Sequence, residues 1–303
     1  MAGHDREVRG PRLHAGEVDV DDVLVRGLVD RQFPEWADLP LERSRSTGTQ
    51  NAIYRLGDVL AVRVPRIGQT AQQVGREHDW LPVLARHLPV KLPDPVAVGE
   101  PDLGYPFRWL VYRWIEGEDA GVGEVGDWDD LARDVAEFVQ ELQLVDAEGA
   151  PSARKRGRGL EPHNEAVRVA IQAMGAAVDV DRALAVWDEA LHADTWAGPP
   201  VWVHGDLLPG NLLVRDGRLV GVIDWSATGV GDPACDTMLA WTMPSEARAV
   251  YRETLGLDDA TWARGRGWTI EQAVRFIPYY AATIPSEVEA ARQRLEAVLS
   301  ESR

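Results

Sequence analysis

Three polar side chains interrupt an apolar stretch of the chain at a spacing that would serve phosphoryl transfer. Asp206 and Asn211 lie five positions apart in HGDLLPGN, and Asp224 follows 13 positions later in VIDWS. Phosphoryl transfer needs one carboxylate to orient and finally deprotonate the attacking hydroxyl, and oxygen ligands to hold Mg2+ on the nucleotide phosphates. We therefore predict Asp206 as the catalytic base, with Asn211 and Asp224 as metal ligands.

The surrounding residues predict the elements that position these side chains. The valine-rich run before His204 predicts a strand, and RDGRLVGVIDW predicts a hairpin that turns at Asp216 and Gly217. Asn211 and Asp224 would then stand on the two arms of one hairpin. A single aspartate in a glycine-containing loop is more often a turn or cap residue, so the prediction depends on the three residues together.

The rest of the chain predicts an α+β protein with two lobes. Residues 1–113 read as a strand-rich lobe with a leading helix, and residues 114–303 read as a larger helical lobe. In the first lobe we expect a helix near 20–31, three antiparallel strands within 41–66, a helix near 71–87, and strands near 96–98 and 107–114. In the second, helices are expected from Asp127, at 163–175 and 180–192, and over most of the chain after Pro233. A cleft between the lobes would hold the ligand.

Composition excludes several classes of function. The net charge of -17 argues against a nucleic-acid partner and would suit a cationic small molecule, although acidic surfaces also serve solubility. A single cysteine, Cys235, excludes an internal disulfide and a clustered zinc site. No apolar run is long enough to span a membrane and no signal peptide is apparent, so a cytoplasmic protein is expected. The basic run ARKRGR at 153–158 is interpreted as a solvated loop.

The segments HGDLLPGN and IDWSATGVGDPACD resemble the two signature segments of the aminoglycoside phosphotransferase family, whose members share the protein-kinase fold. The resemblance extends over most of the chain after residue 40. It implies Asp206 as catalytic base and Asn211 plus Asp224 as Mg2+ ligands, with ATP or GTP as phosphate donor. It also implies that His204 supports the loop without taking part in the chemistry.

The protein-kinase fold that the resemblance implies extends the prediction to the first lobe. There a strand should carry a cation for the phosphates, and a helix should carry the acidic partner of that cation. Arg63 in VLAVRVP stands where kinases carry lysine, and Glu77 on the following helix is its predicted partner. The departure matters because arginine is a planar fork whereas lysine is a point charge. A salt bridge on the sheet surface is the alternative for Arg63. Pro82 is expected to kink or interrupt the helix that carries Glu77.

Two further segments are assigned to the nucleotide by their positions alone. The turn RSTGTQN lies where a phosphate-covering loop belongs, and its candidate nucleotide-binding residues are Ser46, Thr47, Gly48 and Thr49. Because the segment has one glycine, its sequence alone predicts no more than a turn. The segment WLVYRWIEGE lies where the inter-lobe hinge should pair with the base, and its candidates are Tyr112 and Trp114.

The remaining candidates serve the loop or the acceptor. Asp232, before Pro233, reads as a helix N-cap, and Asp236 is expected to anchor the catalytic loop from below. Glu271 and Tyr279, with Trp241, Trp262 and Tyr280, would line a pocket for a polyamine sugar, and ordinary helix packing is the alternative.

The function that this pattern predicts is transfer of the γ-phosphate of a nucleoside triphosphate to a hydroxyl of a small molecule. The predicted acceptor is an aminoglycoside-like antibiotic, so that the protein would confer resistance. A kinase of a macrolide, a peptide antibiotic or a metabolite remains open, as does a non-catalytic nucleotide-binding pseudokinase. A protein kinase is disfavoured, because the nucleotide loop is not glycine-rich and no A-P-E segment follows Asp224.

Overall fold

The N-terminal part is built on one antiparallel sheet covered by a helix. The computed structural model describes residues 14, 16–44, 50–123, 125–154 and 156–301. Its five-stranded sheet has the order β1-β2-β3-β5-β4, and every neighbouring pair is antiparallel. The strands are β1 Leu41–Arg43, β2 Asn51–Leu56, β3 Leu60–Pro65, β4 Pro95–Gly99 and β5 Trp109–Arg113.

Three helices accompany this sheet. They are α1 Asp22–Gln32, the single turn α2 Gly68–Ala71, and α3 Val74–Leu84. Asp21 caps α1 by accepting a hydrogen bond from the Leu24 backbone N–H, as short acids do at helix starts. Pro82 lies inside α3 without ending it, so the expected interruption falls instead between α2 and α3.

The C-terminal part is mainly helical, with two small sheets. Its helices are α4 Trp128–Leu144, α5 Asn164–Met174, α6 Val180–His192, α7 Ser245–Leu255, α8 Asp259–Tyr280 and α9 Pro285–Ser300. Its strands are β6 Glu118–Asp119, β7 Val201–Val203, β8 Leu212–Arg215, β9 Arg218–Val222 and β10 Gly229–Gly231, paired as β6-β8-β9 and β7-β10. A 3-10 helix over Pro233–Thr242 precedes α7. The predicted α+β architecture, sheet-rich first and helical second, is confirmed.

The protein has two apolar cores, a smaller one within the N-terminal part and a larger one that also includes residues of α3 and β5. Tyr54, Val62 and Trp109 of the large sheet are fully buried against Val25 and Leu28 of α1. The larger core collects big aromatic side chains that no solvent reaches, namely Phe138, Trp187, Trp202, Trp225 and Trp268. Burying such residues supplies most of the free energy that holds a fold together.

The two parts are joined by direct contacts as well as by the chain. Lys91 donates its backbone N–H to Val220 O and accepts from Val222 N, both at 3.0 Å, which ties the first part to β9. The rings of Trp80 on α3 and Trp202 on β7 lie 5.1 Å apart. None of the helices that the structure describes combines the length and apolar character needed to span a lipid bilayer.

Candidate active site

The loop after β7 is fixed by a buried carboxylate beneath it. Asp236 accepts hydrogen bonds from the backbone N–H groups of His204 and Gly205, both at 2.7 Å. Burial raises the pKa of Asp236, partly opposed by His204 and by these two N–H donors. Gly205 is required here, because its φ is +79° and a Cβ would lie 2.9 Å from Ala227 O. The loop therefore leaves the strand in one defined conformation.

His204 links this loop to the end of the β8-β9 hairpin. Its fully buried ring lies 3.0 Å from Ile223 O through Nε2, while Nδ1 is 3.3 Å from the Asp206 backbone N. A proton on Nε2 satisfies both contacts, since Nε2 then donates to the carbonyl and Nδ1 accepts from the amide. The ring also packs edge-on against Trp225, with centroids 4.8 Å apart. Both ring nitrogens of His204 are thus engaged in structural contacts.

Asp206, Asn211 and Asp224 are brought together in one loop-and-hairpin unit. The Asn211 side-chain N–H donates to Asp206 O at 2.8 Å, which leaves its amide oxygen as an acceptor. Ile223 N donates to Asn211 O at 2.9 Å, so Asp224 follows directly across the hairpin. Asp224 has φ +57°, a left-handed conformation that costs a non-glycine residue about 1–2 kcal/mol. Such strain persists where packing imposes it and is concentrated at functional sites.

Arg63, Glu77 and Tyr112 form a buried cluster that faces Asp224. Arg63 Nη1 lies 2.8 Å from both carboxylate oxygens of Glu77, so the predicted pair is present. Tyr112 donates its hydroxyl to the same carboxylate at 2.6 Å. Burial works against the charge on Arg63, but the charges of Glu77, Tyr112 and Asp224 together outweigh it, and the pKa of Arg63 is raised. Arg63 is thus a permanent cation.

One edge of this cluster carries two unsatisfied polar atoms. Arg63 Nη2 and Asp224 Oδ1 are buried and have no hydrogen-bond partner within the described residues, yet they lie only 3.8 Å apart. A buried donor and acceptor left without partners cost free energy unless a ligand completes them. The position therefore suits a group that carries both a cation and negatively charged oxygens, such as a metal-bound phosphate.

A second arginine reaches Asp206 from a loop that the sequence interpretation had placed in solvent. Arg156 Nη1 lies 2.6 Å from Asp206 Oδ1 and 3.2 Å from Gly205 O. Its Nε lies 3.8 Å from Glu271 Oε2. The Arg156 side chain is 16% exposed and that of Glu271 8%. The interpretation of this run as a solvated loop is therefore wrong for Arg156.

Backbone pairing explains why Arg156 is held at this position. Ala153 N donates to Val230 O at 3.0 Å, and Asp232 N donates to Gly157 O at 2.8 Å. The loop thus lies along β10, next to the strand that leads into His204. The sequence indicated this packing only through the two glycines at 157 and 159 within a basic run. Glycines permit close approach of another backbone, but they do not identify the segment that approaches.

The other predicted residues fall into three groups. Ser46, Thr47, Gly48 and Thr49 lie outside the described residues. The Tyr112 hydroxyl donates to Glu77 at 2.6 Å, and the Trp114 backbone N–H donates to Val59 O at 2.8 Å, so these two groups are engaged within the chain. Asp232 caps the following helix through Ala234 N and also pairs with Arg264 at 2.7 Å.

The residues predicted to line an acceptor pocket are divided by the structure. Trp241 and Trp262 pack against each other in the core, with ring centroids 4.7 Å apart, as the helix-packing alternative requires. Glu271 is buried and bound by Arg275 at 2.8 Å, with His163 Nδ1 at 3.6 Å. Tyr279 is 55% exposed, and its hydroxyl lies 3.2 Å from His14 Nδ1. Of the predicted acceptor residues, Glu271 is the one tied to Asp206, through Arg156.

Residues 43–268 match the model of the "Phosphotransferase enzyme family". YcbJ of Bacillus subtilis (strain 168), itself described as uncharacterized, is 26% identical over 205 residues. That match covers 61% of the chain and 63% of YcbJ, which is less than two thirds of its length.

Solved structures share the fold over nearly the whole chain. The GDP and kanamycin complex of APH(2")-IIia is 20% identical with a TM-score of 0.72, covering 91% of this chain and 98% of that one. Macrolide 2'-phosphotransferase MphH from Brachybacterium faecium is 24% identical with a TM-score of 0.60, covering 93% and 99%. Other matched phosphotransferase structures contain ADP or ATP. The fold is therefore the two-lobed, protein-kinase-like one.

Proposed function

Because the chain belongs to the phosphotransferase enzyme family, we propose that it transfers the γ-phosphate of a nucleoside triphosphate to a hydroxyl group of a small molecule. The observation that carries the proposal is the pair of unsatisfied atoms, Arg63 Nη2 and Asp224 Oδ1, that face each other beside the loop of Asp206 and Asn211. A pairing of a fixed cation with free oxygen ligands is what a metal-bound triphosphate requires.

Asp206 is the proposed catalytic base. Its carboxylate would accept a hydrogen bond from the acceptor hydroxyl, orient the oxygen toward the γ-phosphorus and take the proton as the new O–P bond forms. The bond from the γ-phosphorus to the β–γ bridging oxygen breaks in the same step, and the nucleoside diphosphate leaves with that oxygen and its electron pair. Because the transition state of phosphoryl transfer is loose, the proton leaves late and a strong base is unnecessary. An aspartate already bound by Arg156 is sufficient for this role.

Asn211 and Asp224 are the proposed ligands for Mg2+. The fit is supported by the donor set, since the amide oxygen of Asn211 and the unpartnered Oδ1 of Asp224 are hard oxygen ligands of the kind that Mg2+ prefers. The ion would neutralise charge on the β- and γ-phosphates. The chain's own contribution is to hold both ligands on one hairpin, with the strained backbone of Asp224 directing its carboxylate.

Arg63 is the proposed phosphate-binding cation of the nucleotide site, held in place by Glu77. Ser46, Thr47, Gly48 and Thr49 remain candidates for covering the phosphates. Tyr112 and Trp114 were predicted to contact the base. The Tyr112 hydroxyl fixes Glu77, and the segment WLVYRWIEGE at 109–118 stays the proposed hinge. Matched structures contain GDP, ADP or ATP, so either ATP or GTP is a reasonable donor.

The acceptor is proposed as a small molecule, and its identity is open. Kanamycin in one matched structure and the macrolide specificity of another make these antibiotics the first compounds to test, with resistance as the consequence. Use of a nucleoside triphosphate also favours a cytoplasmic protein. The division of the chain near residue 113 would place the nucleotide and the acceptor on opposite sides of one cleft.

The test is nucleotide consumption by the full chain with Mg2+ and either ATP or GTP, against aminoglycosides, macrolides, peptide antibiotics and small hydroxy compounds. Asp206→Asn should lower turnover by at least about 10²-fold, because general base catalysis contributes that much, while ADP binding measured by calorimetry is kept. Asp216→Asn makes the same chemical change in the exposed hairpin turn and should leave turnover intact.

Two outcomes would count against the proposal. If Asp206→Asn turned over as fast as the parent protein, the assignment of the base would be wrong. If no compound were phosphorylated while ADP still bound tightly, the non-catalytic nucleotide-binding alternative would replace the enzyme.

A further inference from the structure

The Arg63 guanidinium is held by one of its two terminal nitrogens. Nη1 lies 2.8 Å from Oε1 and 2.8 Å from Oε2 of Glu77, so both carboxylate oxygens share a single nitrogen. Nη2 lies 3.8 Å from Asp224 Oδ1 and has no hydrogen-bond partner among the residues that the structure describes. The guanidinium is therefore divided, with one nitrogen bound to the chain and the other left for a ligand.

This arrangement differs from the frequent fork-like pairing of arginine with a carboxylate. In the fork, two nitrogens of the guanidinium each donate to one carboxylate oxygen, which gives two parallel hydrogen bonds. A buried pair such as Arg63 and Glu77 would gain from that geometry. A fork made with the two terminal nitrogens would, however, consume Nη2, the nitrogen that faces Asp224. A further contact is needed to keep Glu77 out of the fork.

The Tyr112 hydroxyl supplies this contact. Ala61 of β3 is the cross-strand neighbour of Tyr112 on β5, so Arg63, two residues further along β3, lies on the same face of the sheet. The hydroxyl donates to Glu77 Oε2 at 2.6 Å and lies 3.5 Å from Arg63 Nη1. Burial and the charge of Glu77 raise the pKa of Tyr112, so the hydroxyl keeps the proton that it donates. One oxygen of Glu77 is thereby fixed on the Nη1 side.

Burial of the cluster makes this hydroxyl decisive. The side chains of Arg63 and Glu77 are 6% and 3% exposed, and Tyr112 is 5% exposed, so solvent has little access to replace a lost partner. Without the hydroxyl, Glu77 Oε2 would lose one of its two donors beside a buried donor, Nη2, that has no partner in the described chain. Turning Oε2 to Nη2 would then satisfy both atoms. The hydroxyl therefore determines which nitrogen of Arg63 stays free.

Lysine could not divide its contacts in this way. Its ammonium is a point charge on one nitrogen, whereas arginine spreads its donors over a planar fork. With lysine at position 63, the same nitrogen would have to meet both Glu77 and the phosphates. The contact from Tyr112 thus gives a physical reason for arginine at a position where protein kinases carry lysine.

We infer that Tyr112 is a positioning residue of the nucleotide site, which holds Glu77 on Nη1 and so keeps Nη2 of Arg63 for a phosphate oxygen. The phosphate in this inference rests on the proposed function, whereas the division of the guanidinium does not. Two measurements separate these claims, one without a nucleotide and one with it.

The first measurement is a crystal structure of Tyr112→Phe without ligand, a change that removes the hydroxyl and keeps the ring. We expect Glu77 to turn so that its two oxygens bind Nη1 and Nη2 of Arg63, each at about 2.8 Å. Tyr105→Phe is the matched control, because Tyr105 is also buried and donates its hydroxyl at 2.6 Å, but to Pro65 O. In that variant Glu77 should stay on Nη1. If Glu77 still bound Nη1 alone in Tyr112→Phe, the inference would be overturned.

The second measurement is calorimetric binding of ADP with Mg2+ to the full chain. Tyr112→Phe should weaken the affinity by about 10-fold, since Glu77 then takes Nη2, and Tyr105→Phe should leave it unchanged. Arg63→Lys keeps the charge on one nitrogen and should also weaken binding by about 10-fold. Adding Tyr112→Phe to Arg63→Lys should weaken it by no more than about twofold further, because no second nitrogen remains to be kept free.

Three binding results would overturn the inference. The first is parental affinity in Tyr112→Phe or in Arg63→Lys, and the lysine variant keeps this test available if the phenylalanine variant fails to fold. The second is an equal loss from Tyr112→Phe in the arginine and lysine backgrounds, which would show that the hydroxyl does not act through the fork. The third is an equal loss from Tyr105→Phe, which would show a general effect of removing a buried hydroxyl.

Turnover separates the inference from the proposed function. Phosphorylation of an acceptor with an unchanged KM for nucleotide in Tyr112→Phe would overturn the inference and leave the proposed function standing. The expected binding pattern without phosphorylation of any acceptor would support the inference and refute the proposed function. No binding of ADP by the parent protein would overturn both.

Discussion

Two arginine-centred clusters face the candidate site, and they are built in different ways. The cluster of Arg63, Glu77 and Tyr112 is almost completely buried and joins a strand to a helix only 14 residues away. The cluster of Arg156, Asp206 and Glu271 joins a loop to segments 50 and 115 residues further along the chain. Its Asp206 side chain remains 36% exposed.

The difference follows from what each cluster would have to do. A group that binds the same phosphates in every cycle gains from a rigid, dry setting, where electrostatic interactions are strong and need no reorganisation. A carboxylate that must meet a changing acceptor needs access to solvent and to the cleft. We therefore expect mutations in the first cluster to affect stability most, and those in the second to affect turnover most.

The largest expected effect is on stability, from removal of the acid in the first cluster. Glu77→Gln leaves the buried charge of Arg63 without its close partner, and we expect the free energy of unfolding to fall by about 3–5 kcal/mol. The measurement is urea denaturation of the full chain.

Glu271→Gln is the matched change in the second cluster. Arg156 keeps Asp206 as its partner and Arg275 is half-exposed, so the expected loss is only about 1 kcal/mol. Equal losses of unfolding free energy in Glu77→Gln and Glu271→Gln would contradict the distinction between the buried first cluster and the more exposed second one.

The second effect is on turnover. Arg156→Gln removes the guanidinium that binds Asp206 and Gly205 O. Because small misplacements of a reacting group are costly, the loss of this support for the Asp206 carboxylate should lower kcat by about 10-fold. The KM for nucleotide should stay unchanged. Steady-state kinetics with the best acceptor would measure this.

Arg154→Gln is the control, since Arg154 is an exposed arginine of the same loop. Its kinetics should match those of the parent, and Arg156→Lys should recover part of kcat. A fall in nucleotide affinity with unchanged kcat would instead place Arg156 on the donor side and contradict the division of roles.

The smallest effect concerns the pH dependence of stability. The pKa of Glu287 is raised in the folded protein by burial and by Asp119, so folding favours its protonated form. Its contribution to stability is therefore fully present below its ordinary pKa near 4.5 and is lost as the pH rises through the raised value.

Glu287→Gln should remove this component from the pH dependence of unfolding free energy between pH 7 and the ordinary pKa. The change should be less than about 1 kcal/mol, because the group is only partly buried. Glu289→Gln, an exposed acid on the same helix, should retain the slope of the parent. An identical slope in Glu287→Gln would show that Glu287 and Asp119 do not interact as described.

Much of the fold follows from local patterns in the sequence. The periodic apolar residues of α4 after the capping Asp127, and the turn at Asp216 and Gly217 between β8 and β9, were both predictable within a few residues. Pro82 was less informative, because α3 continues past it for two residues. Local rules succeed where one element's own residues decide its conformation.

For the site, the sequence by itself determined the residues on each local unit: Asp206 and Asn211 on one loop, Asp224 across one hairpin, and Arg63 with Glu77 on a strand and the next helix. These residues are close together in the sequence and lie on regular elements, so few relative positions of their side chains were possible. Tertiary structure alone decided that Arg156 reaches Asp206 and that buried Arg294 on α9 donates to Gln272 on α8. Those contacts depend on how β10, α8 and α9 pack, and long-range packing leaves no periodic signal in the chain.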